Sequence, residues 1–187
     1  MGGCYLGMAG HDVFNNRVRE IVNTNEHRVV LLALDISNFK YINDFYGMDE
    51  GDKVMQDIAD FYFINEPLCL ASHGIGFDQF RGAYKADNMT DEDVVEYIAR
   101  KNRIFEKELS ERYPLVYQHV YVGLYFYDDP SIDVLHDALP ILMYVWRLTV
   151  LILQRSQQKE DLTFHVVYIQ RIIAMNILNI WICLMNL

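Results

Sequence analysis

One apolar run constrains the fold of this chain more than any other feature. Residues 29–34, VVLLAL, form an uninterrupted apolar stretch of strand length. Continuous apolar character, without the alternation of a half-exposed strand, is typical of a strand that is covered on both faces. The run stops at Asp35, so the sequence predicts a buried strand that ends in a carboxylate.

The patterns around this strand predict alternating helices and strands. Asp12 is expected to cap the first helix, and Thr90 with Asp93 forms a capping-box pair. Residues 73–76 are expected to form the turn of a hairpin. Predicted helices cover 12–22, 49–63 and 90–109, and further strands cover 67–72, 79–85 and 115–127. A hairpin inside a helix–strand alternation predicts an α+β sandwich, with a mixed, mainly antiparallel central sheet flanked by helices.

Composition narrows the class of protein. A chain of 187 residues is long enough for one domain with a real core. Its formal net charge of −10 argues against nonspecific binding to nucleic acid. The three cysteines suggest neither a disulfide framework nor a zinc site, and no signal-peptide pattern opens the chain. We therefore expect a cytoplasmic protein.

The last third of the chain differs in character. Residues 136–141, HDALPI, are what a common sequencing-adapter end encodes in one reading frame, and a strongly apolar, mildly basic tail follows. We expect a domain over residues 11–135 and a non-native appendage over 136–187. The alternative is a membrane hairpin. Against it, one apolar stretch is short and carries Arg147, and the other is slightly too short to span a bilayer.

The residues around the end of the buried strand suggest a nucleotide site. Asp35, at a sheet edge, and Asp78, on a neighbouring hairpin, could both bind Mg²⁺, which takes one or two carboxylates together with substrate phosphates. The backbone N–H groups of Asn38 and Phe39 open the next helix and could hold phosphate. An amide at Asn43 and a carboxylate at position 52 suit the edge of a guanine ring.

Each of these residues also has a purely structural interpretation. Asp35 could cap the helix that starts near Phe39, and Asn43 followed by Gly47 could end that helix. Asp52 could complement a helix dipole, and Asp78 could be an ordinary turn residue. Periodicity alone leaves both interpretations open.

The joint spacing of these residues resembles the GGDEF family, the diguanylate cyclase domain of bacterial second-messenger signalling. The family motif D-x-D-x-F-K-x-I-N-D-x-x-G-x-x-x-G-D is matched here by Asp35, Phe39, Lys40, Ile42, Asn43, Asp44, Gly47, Gly51 and Asp52. The signature loop follows at the expected distance as GFDQF, residues 76–80. The resemblance implies a nucleotidyl-cyclase-like, ferredoxin-like fold.

The resemblance also implies roles for individual residues. Metal binding would fall to Asp35, the carbonyl of Ile36, and Asp78. Catalysis would depend on Asp78 and on position 79. Nucleotide binding would involve Asn38, Phe39, Asn43, Asp52 and Gly76. In the family, two domains face each other, and each 3′-hydroxyl attacks the α-phosphate of the partner's GTP.

Several departures from the family pattern predict impaired catalysis. Ser37 replaces the second aspartate of the first motif, and Met48 stands where histidine is usual. Phe77 replaces the second glycine of the signature loop, and Gln79 replaces its second acidic residue. The R-x-x-D inhibitory motif is missing before the loop, and the expected closing helix is not found after Leu135.

These features favour a degenerate GGDEF domain that binds GTP and Mg²⁺ and acts as a regulator, either as a homodimer or fused to a phosphodiesterase or sensor domain. Two alternatives stay open. One is an active cyclase that converts two GTP to cyclic di-GMP, and the other is a purely structural dimerisation module.

Overall fold

The computed structural model describes residues 6–76, 79–128 and 166–168 of the chain. The helices are α1 (His11–Thr24), α2 (Phe39–Tyr46), α3 (Met48–Ala59) and α4 (Asp91–Arg112), and a π-helical turn (Asp60–Ile64) continues α3. The strands are β1 (Val29–Ile36), β2 (Cys69–Gly76), β3 (Gln79–Lys85), β4 (Val120–Tyr127) and β5 (Val166–Tyr168).

The strands form one sheet in the order β2-β3-β1-β4-β5. The β2–β3, β3–β1 and β1–β4 pairs are antiparallel, and β4–β5 is parallel. Helices α2 and α3 connect β1 to β2, and α4 connects β3 to β4. The predicted α+β sandwich with a mainly antiparallel sheet is therefore confirmed.

Strand β1 is covered on both faces, as its apolar run predicts. Alternate β1 residues join the main core beneath α3 and α4, and these are Val30, Leu32, Leu34 and Ile36. The residues between them, Val29, Leu31 and Ala33, are equally buried on the other face. Asp35 is the first residue of the strand that is only half-buried.

Three local predictions need correction. Gly10, not Asp12, is the N-cap of α1, and Asp12 lies within the first turn. Residues 73–76 do not form a turn, because β2 continues through them to Gly76. The last predicted strand begins at Val120 rather than at 115, since the preceding segment leaves the end of α4 as a loop.

The predicted boundary between a domain over residues 11–135 and an appendage over 136–187 lies outside the described residues, so this division stays a prediction. Within the tail, Val166–Tyr168 adds an edge strand to β4, with Val122 opposite Val166. Before residue 11, Ala9 forms an isolated bridge to His73 of β2. In the described ranges, no helix has both the length and the apolar character needed to cross a membrane.

Helix α4 begins at the predicted capping box. The Thr90 hydroxyl accepts a hydrogen bond from the Asp93 backbone N–H at 3.1 Å, and the Asp93 carboxylate accepts one from the Thr90 N–H at 2.9 Å. These bonds to Thr90 lower the pKa of Asp93. The capping box fixes the residue at which the long helix α4 starts.

A buried polar cluster joins α4 to the π-helical turn. Lys101 and Glu66, 8% and 5% exposed, form an ion pair. The ammonium also donates to the carbonyl of Phe61 at 2.7 Å, and the Tyr97 hydroxyl donates to the Glu66 carboxylate at 2.8 Å. A π-helical turn disturbs the regular α-helical hydrogen bonding, and Lys101 satisfies one of its carbonyls.

We expect Lys101→Met to destabilise the fold by about 3–5 kcal/mol, because it leaves the Glu66 carboxylate buried without its cation. Lys107→Met is the matched control, since Lys107 is 77% exposed and lies 3.9 Å from Glu111. That variant should change stability by less than about 0.5 kcal/mol. Urea unfolding followed by circular dichroism measures both values, and equal losses would contradict the assignment.

Candidate functional site

Asp35 occupies a fixed position at the end of β1. The sheet register sets it opposite Gln79 of β3 on one side and Tyr121 of β4 on the other. The Gln79 Nε2 group donates to the Asp35 Oδ2 atom at 3.4 Å, and both side chains are half-buried. The alternative interpretation of Asp35 as a helix cap is wrong, because this residue is part of the strand and Asn38 is the N-cap of α2.

The β2–β3 hairpin turns at the same end of the sheet. Gly76 pairs with Gln79, and Gln79 in turn pairs with Asp35. Phe77 and Asp78 connect these two strands and lie outside the described residues. The prediction that Asp35 and Asp78 share one metal ion therefore stays a prediction. Asp78 directly precedes Gln79 in the chain, and Gln79 is the residue that pairs with Asp35.

The turn between β1 and α2 has an unusual backbone at Asn38. This residue adopts the left-handed conformation, with φ 59° and ψ 16°, and its side chain does not cap the helix. Instead its Nδ2 group donates to the carbonyl of Tyr117 at 2.7 Å. Phe39 is the first residue of α2 and packs partly against the core.

Ser37 belongs to this turn, although the motif comparison treats it only as a departure. It is 5% exposed, and its hydroxyl accepts a hydrogen bond from the His119 backbone N–H at 2.8 Å. Its own N–H donates to the His119 carbonyl at 2.9 Å. No local sequence pattern indicates these contacts, because the two residues lie 82 positions apart in the chain.

Asn43 lies on α2 against α3. Its Oδ1 atom is buried and has no hydrogen-bond partner in the described part of the chain. Gly51 of α3 lies directly beneath it, since a Cβ atom built at that position would be 1.8 Å from the Asn43 Oδ1. The glycine therefore leaves the space that the amide occupies. Gly47 also ends α2, as predicted, with its N–H donating to the Asn43 carbonyl.

Asp52 is exposed on α3 and follows Gly51 in the chain. The acidic residues in the first turn of α3 are Asp49 and Glu50, so Asp52 lies beyond the turn where a helix dipole acts most strongly. Its side chain is therefore available to solvent on the helix that supports Asn43.

The electrostatic environment of Asp35 extends to β4. Burial raises the pKa of Tyr121, and the carboxylates of Glu106 and Asp35 add to that effect. A phenol is neutral near pH 7 even at its ordinary pKa, and the upward shift moves its ionisation still further from neutral pH, so Tyr121 adds no negative charge beside Asp35.

The donor set near Asp35 fits a magnesium ion that arrives with phosphates. Within the described residues, no group of three or more His, Cys, Asp or Glu side chains could hold a metal ion by itself. Asp35 offers one carboxylate and Ile36 one carbonyl, and Mg²⁺ commonly combines such sparse protein ligands with phosphate oxygens and water. These residues could therefore hold nucleotide-bound Mg²⁺, and they suit a protein-only metal centre poorly.

A second polar region lies at the opposite end of β1. It surrounds a shallow cavity of about 430 Å³, lined by Asn25, Glu26, His27, Arg28, Asp87, Tyr127 and Asp128. The Arg28 guanidinium is paired with Asp91 and Asp128 and also donates to the Met89 carbonyl. These bonds hold the start of β1 to the start of α4 and the end of β4, which is a structural role.

Comparisons with known proteins show what this chain is similar to. The family described as diguanylate cyclase, GGDEF domain, matches residues 7–62. The diguanylate cyclase DgcN of Escherichia coli K12 is 34% identical over 76 residues, which are 40% of this chain and 19% of that protein. The chain thus spans about a fifth of the length of this curated relative.

Two solved structures share the fold. The GGDEF domain of DgcB from Caulobacter crescentus, in complex with c-di-GMP, has a TM-score of 0.54 at 17% identity over 78% of this chain and 88% of that one. The GGDEF domain of YfiN, or TpbB, from Pseudomonas aeruginosa has a TM-score of 0.53 at 23% identity, over 77% and 93%. The GGDEF family model thus covers residues 7–62, and the architecture of the chain is that of solved GGDEF domains.

Gly51→Ala tests the contact between Gly51 and Asn43 through the sign of the stability change. Helix propensity alone predicts that alanine stabilises the middle of α3 by up to about 1 kcal/mol. We expect the variant to be destabilised instead, because the new Cβ overlaps the Asn43 amide. In an Asn43→Ala background the same change should become neutral or stabilising, as measured by urea unfolding.

Gly47→Ala is the matched control for this cycle. Gly47 has a φ of +96° and open space around its missing Cβ, so its penalty comes from the backbone alone. That penalty should be the same with and without the Asn43 side chain. A Gly51→Ala effect that is equally independent of Asn43 would contradict the contact.

Proposed function

We propose that this domain binds GTP together with Mg²⁺ and serves as a regulatory module of cyclic-di-GMP signalling, with impaired cyclase activity. Asp35, Ile36 and Asp78 would hold the metal. Asn38 and Phe39 would bind phosphates through their backbone N–H groups, with Gly76 nearby on the hairpin. Asn43 and Asp52 would contact the guanine.

The observation that supports nucleotide binding most directly is the amide of Asn43. A buried polar atom without a partner costs about 1–3 kcal/mol, so a residue kept only for stability would be expected to pair it or replace it. The guanine edge presents N–H donors and a carbonyl acceptor, which an amide can match after rotation about its terminal bond. The glycine at position 51 provides the space for this side chain.

The end of β1 supports the phosphate and metal part of the proposal. Asp35 lies near the end of the central strand β1, just before the chain turns into α2. The first N–H groups of a helix attract anions, and here no side chain caps them. A magnesium ion between Asp35 and bound phosphates would offset the charge of both, which is its usual role with nucleotides.

The proposal of impaired catalysis depends on Gln79. Its amide donates a hydrogen bond toward Asp35, at the position where the family has a second acidic residue. A neutral amide cannot accept a proton from a hydroxyl nucleophile, and it supports a cation less well than a carboxylate. GTP binding without efficient turnover suits a regulatory role.

Partners follow as a further part of the proposal. A regulatory GGDEF domain would act within a homodimer, or beside a phosphodiesterase or sensor domain of the same protein. Two rival functions make different predictions. An active cyclase would form cyclic di-GMP from GTP and Mg²⁺, and a purely structural dimerisation module would show no response to GTP.

We expect GTP with Mg²⁺ to raise the melting temperature of the wild-type protein, and Asn43→Ala to abolish that rise. Without GTP, the variant should be at least as stable as wild type, because it removes a buried Oδ1 atom that makes no hydrogen bond there. Differential scanning fluorimetry over micromolar to millimolar GTP measures both quantities.

Asn23→Ala provides the control, since Asn23 is an exposed asparagine on α1. Its GTP response should equal that of the wild type. A wild-type protein that does not respond to millimolar GTP would overturn the proposed function and leave the structural module. An Asn43→Ala protein that keeps the full response would remove Asn43 from the site.

We expect Gln79→Glu to increase the Mg²⁺ dependence of stability and of GTP binding. The substitution sets a second carboxylate beside Asp35, so without metal the two charges repel and Mg²⁺ offsets the repulsion. Melting temperatures with and without Mg²⁺, together with chromatographic detection of cyclic di-GMP, measure the effect.

Gln56→Glu is the control for this substitution. Gln56 donates to the Asp60 carboxylate at 2.9 Å, so the same change creates a comparable carboxylate pair on a different part of the fold. A similar Mg²⁺ response in both variants would show that position 79 has no special relation to a metal. Formation of cyclic di-GMP by the wild type, at a rate equal to that of Gln79→Glu, would favour the active-cyclase alternative.

A further inference from the structure

We propose that Ser37 and Asn38 are positioning residues for nucleotide phosphate, and that they act by fastening the β1–α2 turn to the segment 117–119 that precedes β4. The inference rests on the proposed function, because it concerns how the same site is held in shape. It assigns a role to Ser37, at which this chain departs from the family motif.

Three hydrogen bonds fasten the turn. The Ser37 N–H donates to the His119 carbonyl at 2.9 Å, and the His119 N–H donates to the Ser37 hydroxyl at 2.8 Å. The Asn38 Nδ2 group donates to the Tyr117 carbonyl at 2.7 Å. Two successive residues of the turn are thus bonded to two residues of the segment, and each bond has a backbone atom of that segment as one partner.

The left-handed conformation of Asn38 is one that the hydrogen bonds to segment 117–119 help to maintain. A non-glycine residue in the left-handed region carries a cost of about 1 kcal/mol, which asparagine tolerates better than most residues. Asparagine at an N-cap ordinarily binds the helix's own N–H groups. Here its amide bonds to Tyr117 instead and does not cap the helix, so the N–H groups of Phe39 and Lys40 at the start of α2 keep the capacity to bind an anion.

The chain on both sides of segment 117–119 is firmly anchored. The Tyr113 hydroxyl donates to Glu50 at 2.9 Å, and the Leu115 N–H donates to the Tyr46 hydroxyl at 3.1 Å. On the β4 side, the Val120 N–H donates to Glu106 at 2.7 Å, and its carbonyl accepts from Asn102 at 2.9 Å.

These bonds come from α2, α3 and α4, so the segment connects the turn to three helices. Leu115 and Tyr117 are 72% and 61% exposed, whereas Val116 between them is buried in the core. A segment anchored in this way can hold the β1–α2 turn in one conformation.

The test compares GTP with guanosine, which has the same base but no phosphate. Ser37→Ala removes the hydroxyl acceptor, and Asn38→Gly removes the amide while tolerating the left-handed backbone. We expect each variant to bind GTP about tenfold more weakly, the scale of one lost hydrogen bond, and guanosine within about twofold of wild type. NMR titration of the full chain measures both affinities.

Ser110→Ala is the matched control, because the Ser110 hydroxyl also bonds to a backbone atom, the Lys107 carbonyl at 2.7 Å. It should change neither affinity. A merely structural role for Ser37 and Asn38 would weaken GTP and guanosine together, and that result would overturn the inference. So would unchanged GTP binding in both variants.

A second measurement does not depend on ligand. Hydrogen exchange at the His119 amide should be faster in Ser37→Ala than in wild type, and unchanged exchange would show that the fastening bond does not form. A wild-type protein that binds neither GTP nor guanosine would overturn the proposed function and this inference with it. Normal wild-type binding with unaffected variants would overturn the inference alone.

Discussion

The pairing of β1 with two antiparallel neighbours is the constraint on which the rest of the structure depends. From Val29 to Asp35, every β1 residue has a partner on β3 and another on β4. A slip of one residue would move the apolar side chains of one face to the other, and both faces are buried. The position of Asp35 beside Gln79 and Tyr121 is therefore a consequence of packing along the whole strand.

The end of this strand and the start of α2 combine rigid and unpaired polar groups. Ser37 and Asn38 are bonded to the loop before β4, whereas the Asn43 Oδ1 atom lacks a partner within the described residues. Elsewhere the Lys101–Glu66 pair and the Arg28 cluster have several bonds each. Stability accounts for those clusters.

Sequence patterns predicted the parts of the fold that local chemistry determines. The apolar run at 29–34 identified β1, and the Thr90–Asp93 pair located the start of α4, because burial and capping act over a few residues. The extent of β2 was misjudged, since glycines at 74 and 76 favour a turn locally but lie in a strand paired with β3. The hydrogen bonds between β2 and β3 outweigh the local preference of these glycines for a turn.

The candidate site was predictable only in part for the same reason. Motif spacing predicted Asp35, Asn43 and Asp52 as site residues, because they lie within 18 positions of one another. The bonds of Ser37 and Asn38 to residues 117–119 join segments that are distant in sequence, and no periodicity encodes them. The contact of Gln79 with Asp35 likewise requires the register of β1 and β3.

The most direct test of the account is to locate a bound divalent cation with Mn²⁺, a paramagnetic substitute for Mg²⁺, in the presence of GTP. Relaxation enhancement of backbone amide signals reports distance from the ion. If nucleotide-bound metal lies at the end of β1, the strongest broadening falls at Asp35, Ile36 and Gln79. Broadening centred instead on the acidic cluster of Asp87 and Asp128 at the other end of β1, or spread evenly over the acidic surface, would contradict it.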